Sequence, residues 1–148
     1  MSIKIGVKQL GLTVDPVVAQ IVEESQLITG LSTDSRSIEA GDLFIALGGE
    51  KFDGHQFLGC VIEKGASALI FERKPPSISL DNVTYFQVSS SLVAYQQIAK
   101  WWRSQFTIPT IAITGSVGKT STKELLSAVL ATQGEVLKTQ ANYNNEIG

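Results

Sequence analysis

The 148-residue sequence contains one cysteine and one histidine. Cys60 has no partner for an intrachain disulfide, and Cys60 with His55 leaves too few soft ligands for a Cys/His zinc site. Positive charge is not in excess either, since 12 Lys and Arg face 14 Asp and Glu for a net charge of −2. Without a long basic cluster the chain lacks what a phosphodiester backbone attracts, which argues against nucleic acid as a partner. No apolar run reaches the roughly eighteen residues of a membrane span, and the opening "MSIKIGVKQLGLTVDP" has no apolar core of signal-peptide length. These absences argue against membrane insertion and export and fit a reducing cytoplasm. Internal repeats and low-complexity tracts are missing as well.

What is present is the balance of a globular chain with a core. Hydrophobic residues make up 43% and charged residues 18%, which excludes disorder for most of the length. The length suits one ordinary domain, or one small domain with part of another. The runs "DLFIAL", "SALIF" and "TYFQV" are short, β-rich and bounded by Gly, Pro or Ser. Between the first two, "HQFLGCVIEKGA" carries Phe57, Val61 and Ile62 at helical spacing, with Gly65 as its end. The pattern predicts strand, helix, strand, all strands in one sheet, within an α/β domain from about residue 28 to 105. "ERKPPSISLDN" reads as an exposed loop.

From Ser89, "SSSLVAYQQIAKWWRSQF" predicts a serine-capped helix with Leu92, Tyr95, Ile98, Ala99, Trp102 and Phe106 on its apolar face. Its two tryptophans read as core or domain contacts rather than a stacking platform. Pro109 breaks the helix before "TIAIT", a short buried-strand candidate, so a domain boundary is expected between Gln105 and Pro109.

That strand leads into Gly115-Ser116-Val117-Gly118-Lys119-Thr120 and a second helix with Leu125, Leu126, Val129 and Leu130 on one side. Strand, glycine loop and helix in this order suit a bound phosphate. Glycines let backbone N–H groups turn onto an anion, the helix start adds positive potential, Lys119 supplies a cation, and the Thr120 hydroxyl suits a magnesium ion. The common pattern requires glycine at position 113, where this chain has Ile113. The bland alternative is a glycine turn with a surface lysine.

The compact form "TGSVGKTSTKE" resembles the Mur ligases, ATP-dependent enzymes that add amino acids or a dipeptide to UDP-N-acetylmuramic acid during peptidoglycan assembly and whose loop is similarly short of a first glycine. "STDSRSIEAGDLFIALGGEKFDGHQF" (32–57) resembles their UDP-binding N-terminal domain, and "NYNNEIG" (142–148) the segment after the phosphate-loop helix. Lys123-Glu124 and Asn144-Asn145-Glu146 favour the D-alanyl-D-alanine-adding branch over the lysine- or diaminopimelate-adding one. The likeness covers most of residues 30–148.

The resemblance implies a small UDP-sugar-binding α/β domain at residues 1–107, followed at 108–148 by the beginning of a P-loop ATPase domain. Carried over residue by residue, Thr114, Gly115, Ser116, Val117, Gly118, Lys119, Thr120, Ser121 and Asn145 would bind ATP, with Lys119 catalytic. Thr120 and Glu146 would hold Mg2+. Ser35, Arg36, Asp53, Gly54 and His55 would surround the UDP part of the substrate. Local chemistry offers rivals: Asp34, Ser35 and Arg36 also suit a capped turn with a surface ion pair, Asp53-Gly54 an ordinary turn, and His55 the start of a helix.

The implied reaction activates the carboxylate of UDP-N-acetylmuramoyl-tripeptide as an acyl phosphate, which the amine of D-alanyl-D-alanine attacks. The family continues beyond "NNEIG", so the resemblance leads us to expect an N-terminal part of a ligase, inactive without the remainder of the chain. A non-catalytic UDP-sugar or nucleotide-binding module, the lysine- or diaminopimelate-adding branch and an unrelated P-loop NTPase are the alternatives.

Overall fold

The computed structural model describes residues 2–49, 52–75 and 77–139. The chain divides into two compact units, Met1–Phe106 and Thr107–Gly148.

The first unit is built on one six-stranded sheet in the order β1-β3-β4-β5-β6-β2. Its strands are β1 (Ser2–Gly6), β2 (Val18–Gln20), β3 (Leu27–Ser32), β4 (Asp42–Ile45), β5 (Ala68–Phe71) and β6 (Thr84–Gln87). β3, β4, β5 and β6 run parallel, while β1 and β2 pair antiparallel at the two edges. The three expected runs thus lie side by side in one sheet. Parallel strands are covered on both faces, so their sequences read as continuous apolar runs rather than alternations. "ALIF" of β5 is buried at all four positions.

The pleat sends neighbouring residues to opposite faces and so divides the core in two. On one face Leu43, Ile45, Ala68, Ile70 and Phe86 pack with Leu10 of α1 (Val7–Val14) and with Ala94 and Ile98 of α3 (Ser91–Ser104). On the other, Phe44, Leu69 and Phe71 pack with Leu58 and Val61 of α2 (Leu58–Glu63), with Ile38 and with Leu80. Leu80 belongs to the stretch expected to be an exposed loop. It is 4% exposed, because its side chain closes the core on the α2 face while most of its neighbours face solvent.

The expected helix after β4 begins as a 3-10 turn, Gly54–Phe57, and continues as α2. It ends at Gly65 as its sequence predicts: the Ala66 N–H donates to the Val61 carbonyl at 3.0 Å and the Gly65 N–H to the Ile62 carbonyl at 2.9 Å. This pair of bonds satisfies carbonyls that the helix end leaves open.

α3 is capped as expected, its Val93 N–H donating to Ser90 Oγ at 3.3 Å. The buried face is rotated from the one predicted. Ser91, Ala94 and Ile98 face inward, Tyr95, Trp101 and Trp102 pack half-buried against the core, and Ala99 is exposed. The tryptophan pair is a packing feature, with Trp102 meeting Phe106 edge-on at 5.2 Å.

In the second unit α4 (Lys119–Leu130) is the one regular element among the described residues. "TIAIT" is not a strand, and Ile111 is exposed. A strand exists only within a ladder, and the described part of this unit contains no second strand. The apolar side of α4 is correspondingly uncovered, with Leu125 at 70% and Val129 at 65% exposure.

The phase of α3 is open to a direct test. Ile98→Ala should destabilise the first unit by about 2–5 kcal/mol, whereas Ala99→Ser should stay within about 0.5 kcal/mol. Urea unfolding of both variants measures this, and equal losses would return the helix to the predicted face.

Candidate functional site

In a parallel sheet, the loops leaving the carboxyl ends of the strands are where ligands bind. Two of the sequence motifs sit on such loops. Residues 33–41 leave β3 and residues 46–53 leave β4, the neighbouring strand.

The first loop opens as a turn knitted by short polar side chains. Ser32 Oγ accepts the Asp34 N–H at 3.0 Å and lies 2.9 Å from Ser37 Oγ, and the Ser37 N–H donates to the Asp34 carbonyl at 3.1 Å. Arg36 curls onto Asp34: its Nε donates to Oδ1 at 2.9 Å, its Nη2 to Oδ2 at 2.6 Å, and its backbone N–H to Oδ1 at 2.9 Å. The guanidinium bond and then the backbone bond of Arg36 hold the Asp34 carboxyl down at a pKa of about 2, from an ordinary 3.8. Ser35 is buried, and its carbonyl accepts from Lys64 Nζ at 2.7 Å.

The second loop is pinned by Gly54 and His55. The Gly54 N–H donates to the Leu47 carbonyl at 2.8 Å, and a Cβ on Gly54 would stand 2.9 Å from Leu47 N and 3.0 Å from Ala46 Cα. Only glycine fits this approach without a shift of backbone. His55 is 2% exposed. Its Nε2 accepts the Glu72 backbone N–H at 3.0 Å, so Nδ1 carries the proton and donates to Asp53 Oδ1 at 2.7 Å. The His55 backbone N–H reaches the same oxygen at 3.1 Å, and Arg73 Nη2 holds Oδ2. The His55 hydrogen bond, with smaller help from the Arg73 charge, keeps the Asp53 carboxyl below its usual range.

Two members of this cluster, Glu72 and Arg73, were missed in the sequence. Both follow β5 directly, and their position at a strand's carboxyl end was the available signal. Glu72 also links the cluster to α3, its Oε1 accepting the Ser91 N–H at 2.8 Å.

The glycine loop lies in the second unit. Thr114, Gly115, Ser116, Val117, Gly118, Lys119, Thr120 and Ser121 are all exposed. Gly118 caps α4 with a left-handed φ of 81°, which other residues adopt only at a cost. Lys119, the first residue of α4, folds its Nζ back onto the Gly115 carbonyl at 2.6 Å. This places an ammonium group across a loop that feeds a helix N-terminus, an arrangement suited to an anion. Farther along α4, Glu124 accepts from Lys138, beyond the helix, and from Lys123, and both bonds lower its pKa. Asn145 and Glu146 lie outside the described residues, as does the "NYNNEIG" stretch. No three His, Cys, Asp or Glu gather into a metal cluster, and no helix is long and apolar enough to cross a membrane, among the described residues.

Residues 27–104 match the Mur ligase family, catalytic domain, and residues 113–148 match the Mur ligase middle domain. The UDP-N-acetylmuramoyl-tripeptide--D-alanyl-D-alanine ligase of Synechocystis sp. is 52% identical over 127 residues, which cover 86% of this chain and 28% of the relative. The enzyme of that name in Bacillus subtilis is 40% identical over 146 residues, covering 99% and 32% respectively. Among solved structures, MurF from Acinetobacter baumannii superposes with a TM-score of 0.84 at 32% identity, over 99% of this chain and 32% of that one. MurF ligase from Thermotoga maritima, solved in complex with ADP, gives a TM-score of 0.72 at 36% identity, over 80% and 27%. The chain therefore spans about a third or less of the length of these relatives.

The Asp34–Arg36 turn sets a pH dependence. A depressed carboxyl pKa contributes stability that is fully present above the ordinary 3.8 and is lost as pH falls through about 2. The Asp34 carboxyl carbon, followed by NMR, should titrate near pH 2, and Arg36→Ala should raise that midpoint partway towards 3.8. A midpoint at the ordinary value in the unchanged chain would contradict the turn described above.

Proposed function

The chain belongs to the Mur ligase family, and from that premise we propose that it supplies the substrate-anchoring domain and the phosphate loop of a cytoplasmic, ATP-dependent ligase that joins D-alanyl-D-alanine to a UDP-N-acetylmuramoyl-tripeptide. Residues 1–107 are assigned to the UDP-substrate domain and residues 108–148 to the ATP-binding domain. The observation that carries this reading is the glycine loop, with left-handed Gly118 at the head of α4 and Lys119 Nζ lying across the loop. The Thermotoga maritima relative, solved in complex with ADP, supports a nucleotide as ligand.

The chemistry runs in two steps. An oxygen of the tripeptide carboxylate attacks the γ-phosphorus, the bond to the leaving ADP oxygen breaks, and an acyl phosphate forms. The neutral amine of D-alanyl-D-alanine then attacks the acyl carbon, the carbon–oxygen bond to phosphate breaks, and the proton lost from nitrogen leaves with the phosphate. Two anions must meet in the first step. Lys119 offsets their repulsion by leaving the Gly115 carbonyl for the β/γ-phosphate oxygens, while backbone N–H groups from Gly115 to Thr120 surround the phosphates. Thr114, Ser116, Val117 and Ser121 complete the loop's contact with ATP, and Asn145 is assigned to the same nucleotide.

Mg2+ suits these residues, because it takes one or two protein oxygens and completes its shell with phosphate and water. Thr120, next to Lys119 in the first turn of α4, offers one hard oxygen, and Glu146 is assigned as the second protein ligand. When bound, the ion would neutralise charge building on the transferred phosphoryl group. Ser35, Arg36, Asp53, Gly54 and His55 are assigned to the UDP end of the substrate, some by contact and some by shaping the loops. Anchoring there lets binding remote from the reacting atoms bring the carboxylate to ATP.

In a full-length ligase carrying this sequence, Lys119→Ala should lower turnover by about a hundredfold or more. Affinity for UDP-N-acetylmuramoyl-tripeptide, read by calorimetry, should change by less than about twofold, since the lost charge meets only the ATP phosphates. Turnover preserved within a few-fold would remove Lys119 from the mechanism.

A further inference from the structure

His55, Asp53 and Arg73 form a chain that runs from the interior to the surface. His55 is 2% exposed, the Asp53 side chain 22% and the Arg73 side chain 66%. A neutral imidazole has one donor and one acceptor nitrogen. In His55 both are used, Nδ1 on Asp53 at 2.7 Å and Nε2 on the Glu72 N–H at 3.0 Å. Neither nitrogen is left for a ligand. Asp53 in turn has Oδ1 occupied by the ring and backbone N–H groups of His55, which leaves Oδ2 to fix the guanidinium of Arg73 through Nη2.

Arg73 keeps more of its guanidinium free than Arg36 does. An arginine recognises phosphate best with two parallel N–H groups from one edge of its fork. Arg36 spends its Nε and Nη2 edge on Asp34. Arg73 commits a single Nη2 hydrogen, so one full edge of its fork, the second Nη2 hydrogen with its Nε or Nη1 neighbour, has no partner among the described residues. It also stands two residues beyond the carboxyl end of β5, on the edge of the parallel sheet where ligands bind.

We infer that Arg73 binds the diphosphate of the nucleotide-sugar substrate, and that His55 is a positioning residue that acts on it only through Asp53. This rests on the function proposed above, for which residues 1–107 carry the UDP site. Within that assignment His55 takes a definite part: it shapes the site without touching the ligand.

The test is calorimetric titration of the 148-residue chain with UDP-N-acetylmuramoyl-tripeptide, for the unchanged protein, Arg73→Ala, Arg73→Lys, His55→Gln and the double variant Arg73→Ala with His55→Gln. Glutamine retains an acceptor for the Glu72 N–H and gives up the imidazole donor to Asp53. Arg73→Ala should weaken binding about tenfold, the loss expected for a charged hydrogen bond, with a melting temperature close to that of the unchanged chain. Arg73→Lys should recover part of the affinity. His55→Gln should weaken binding several-fold when Arg73 is present and have no further effect when Arg73 is alanine. Multiplying losses in the double variant would overturn the positioning role, since a direct contact or a general loss of folded protein acts whether or not Arg73 is there. If His55→Gln does not fold, the two Arg73 variants still decide the anion site. Undiminished affinity in a folded Arg73→Ala protein overturns this inference and leaves the proposed function standing. Failure of the unchanged chain to bind the substrate overturns both.

Discussion

Burial of β4 and β5 on both faces is the constraint from which the first unit follows. A strand covered on one side needs an apolar residue at every second position, and a strand covered on both needs one at each. Leu43 and Ile45 lean towards α1 and α3 while Phe44 leans towards α2, and β5 repeats the division with Ala68 and Ile70 against Leu69 and Phe71. A shift of pairing by one residue would exchange the two sets and misfit both helical layers. Register is thereby held tightly, and with it the height at which each strand ends.

That height is what sets the polar residues in place. Asp53 and His55 follow β4, and Glu72 and Arg73 follow β5, so these side chains gather because their strands are parallel and in fixed register, while the Asp34 turn follows β3 with bonds of its own. The backbone bond from Glu72 to His55 then ties one loop to the next strand, and Gly54 lets that loop lie close against Leu47. Few of these groups depend on long flexible side chains, which limits the entropy lost in ordering them.

The sequence displayed some of this and hid the rest for physical reasons. "DLFI" and "ALIF" were legible because double-sided burial writes itself as an unbroken apolar run. β1, α1 and β2 were not, being short, with Gly11 interrupting α1, so that no window shows a full period. The existence of α3 was clear and its phase was not, because Ala94 and Ala99 look alike in a pattern and only contact separates them. "TIAIT" reads as a strand anywhere, yet a strand also needs a partner, which no single segment can announce. At the candidate site, the turn chemistry of Asp34-Ser35-Arg36 and Asp53-Gly54-His55 was visible, and both the local reading and the family resemblance fitted it. What the local reading lacked was Arg73, twenty residues from the Asp53 it holds.

The placing of the two tryptophans has a spectroscopic consequence. Trp101 and Trp102 are the only ones in the chain, both lie on α3, and both are half-buried against the core of the first unit. Tryptophan emission is therefore an intrinsic reporter of that packing. Its shift to longer wavelength during denaturation would follow the release of α3 from the sheet, while the helical circular dichroism of the same sample would sum over α4 as well. Comparing the two transitions on one sample would show, without any label, whether the two compact units lose their structure together or in turn.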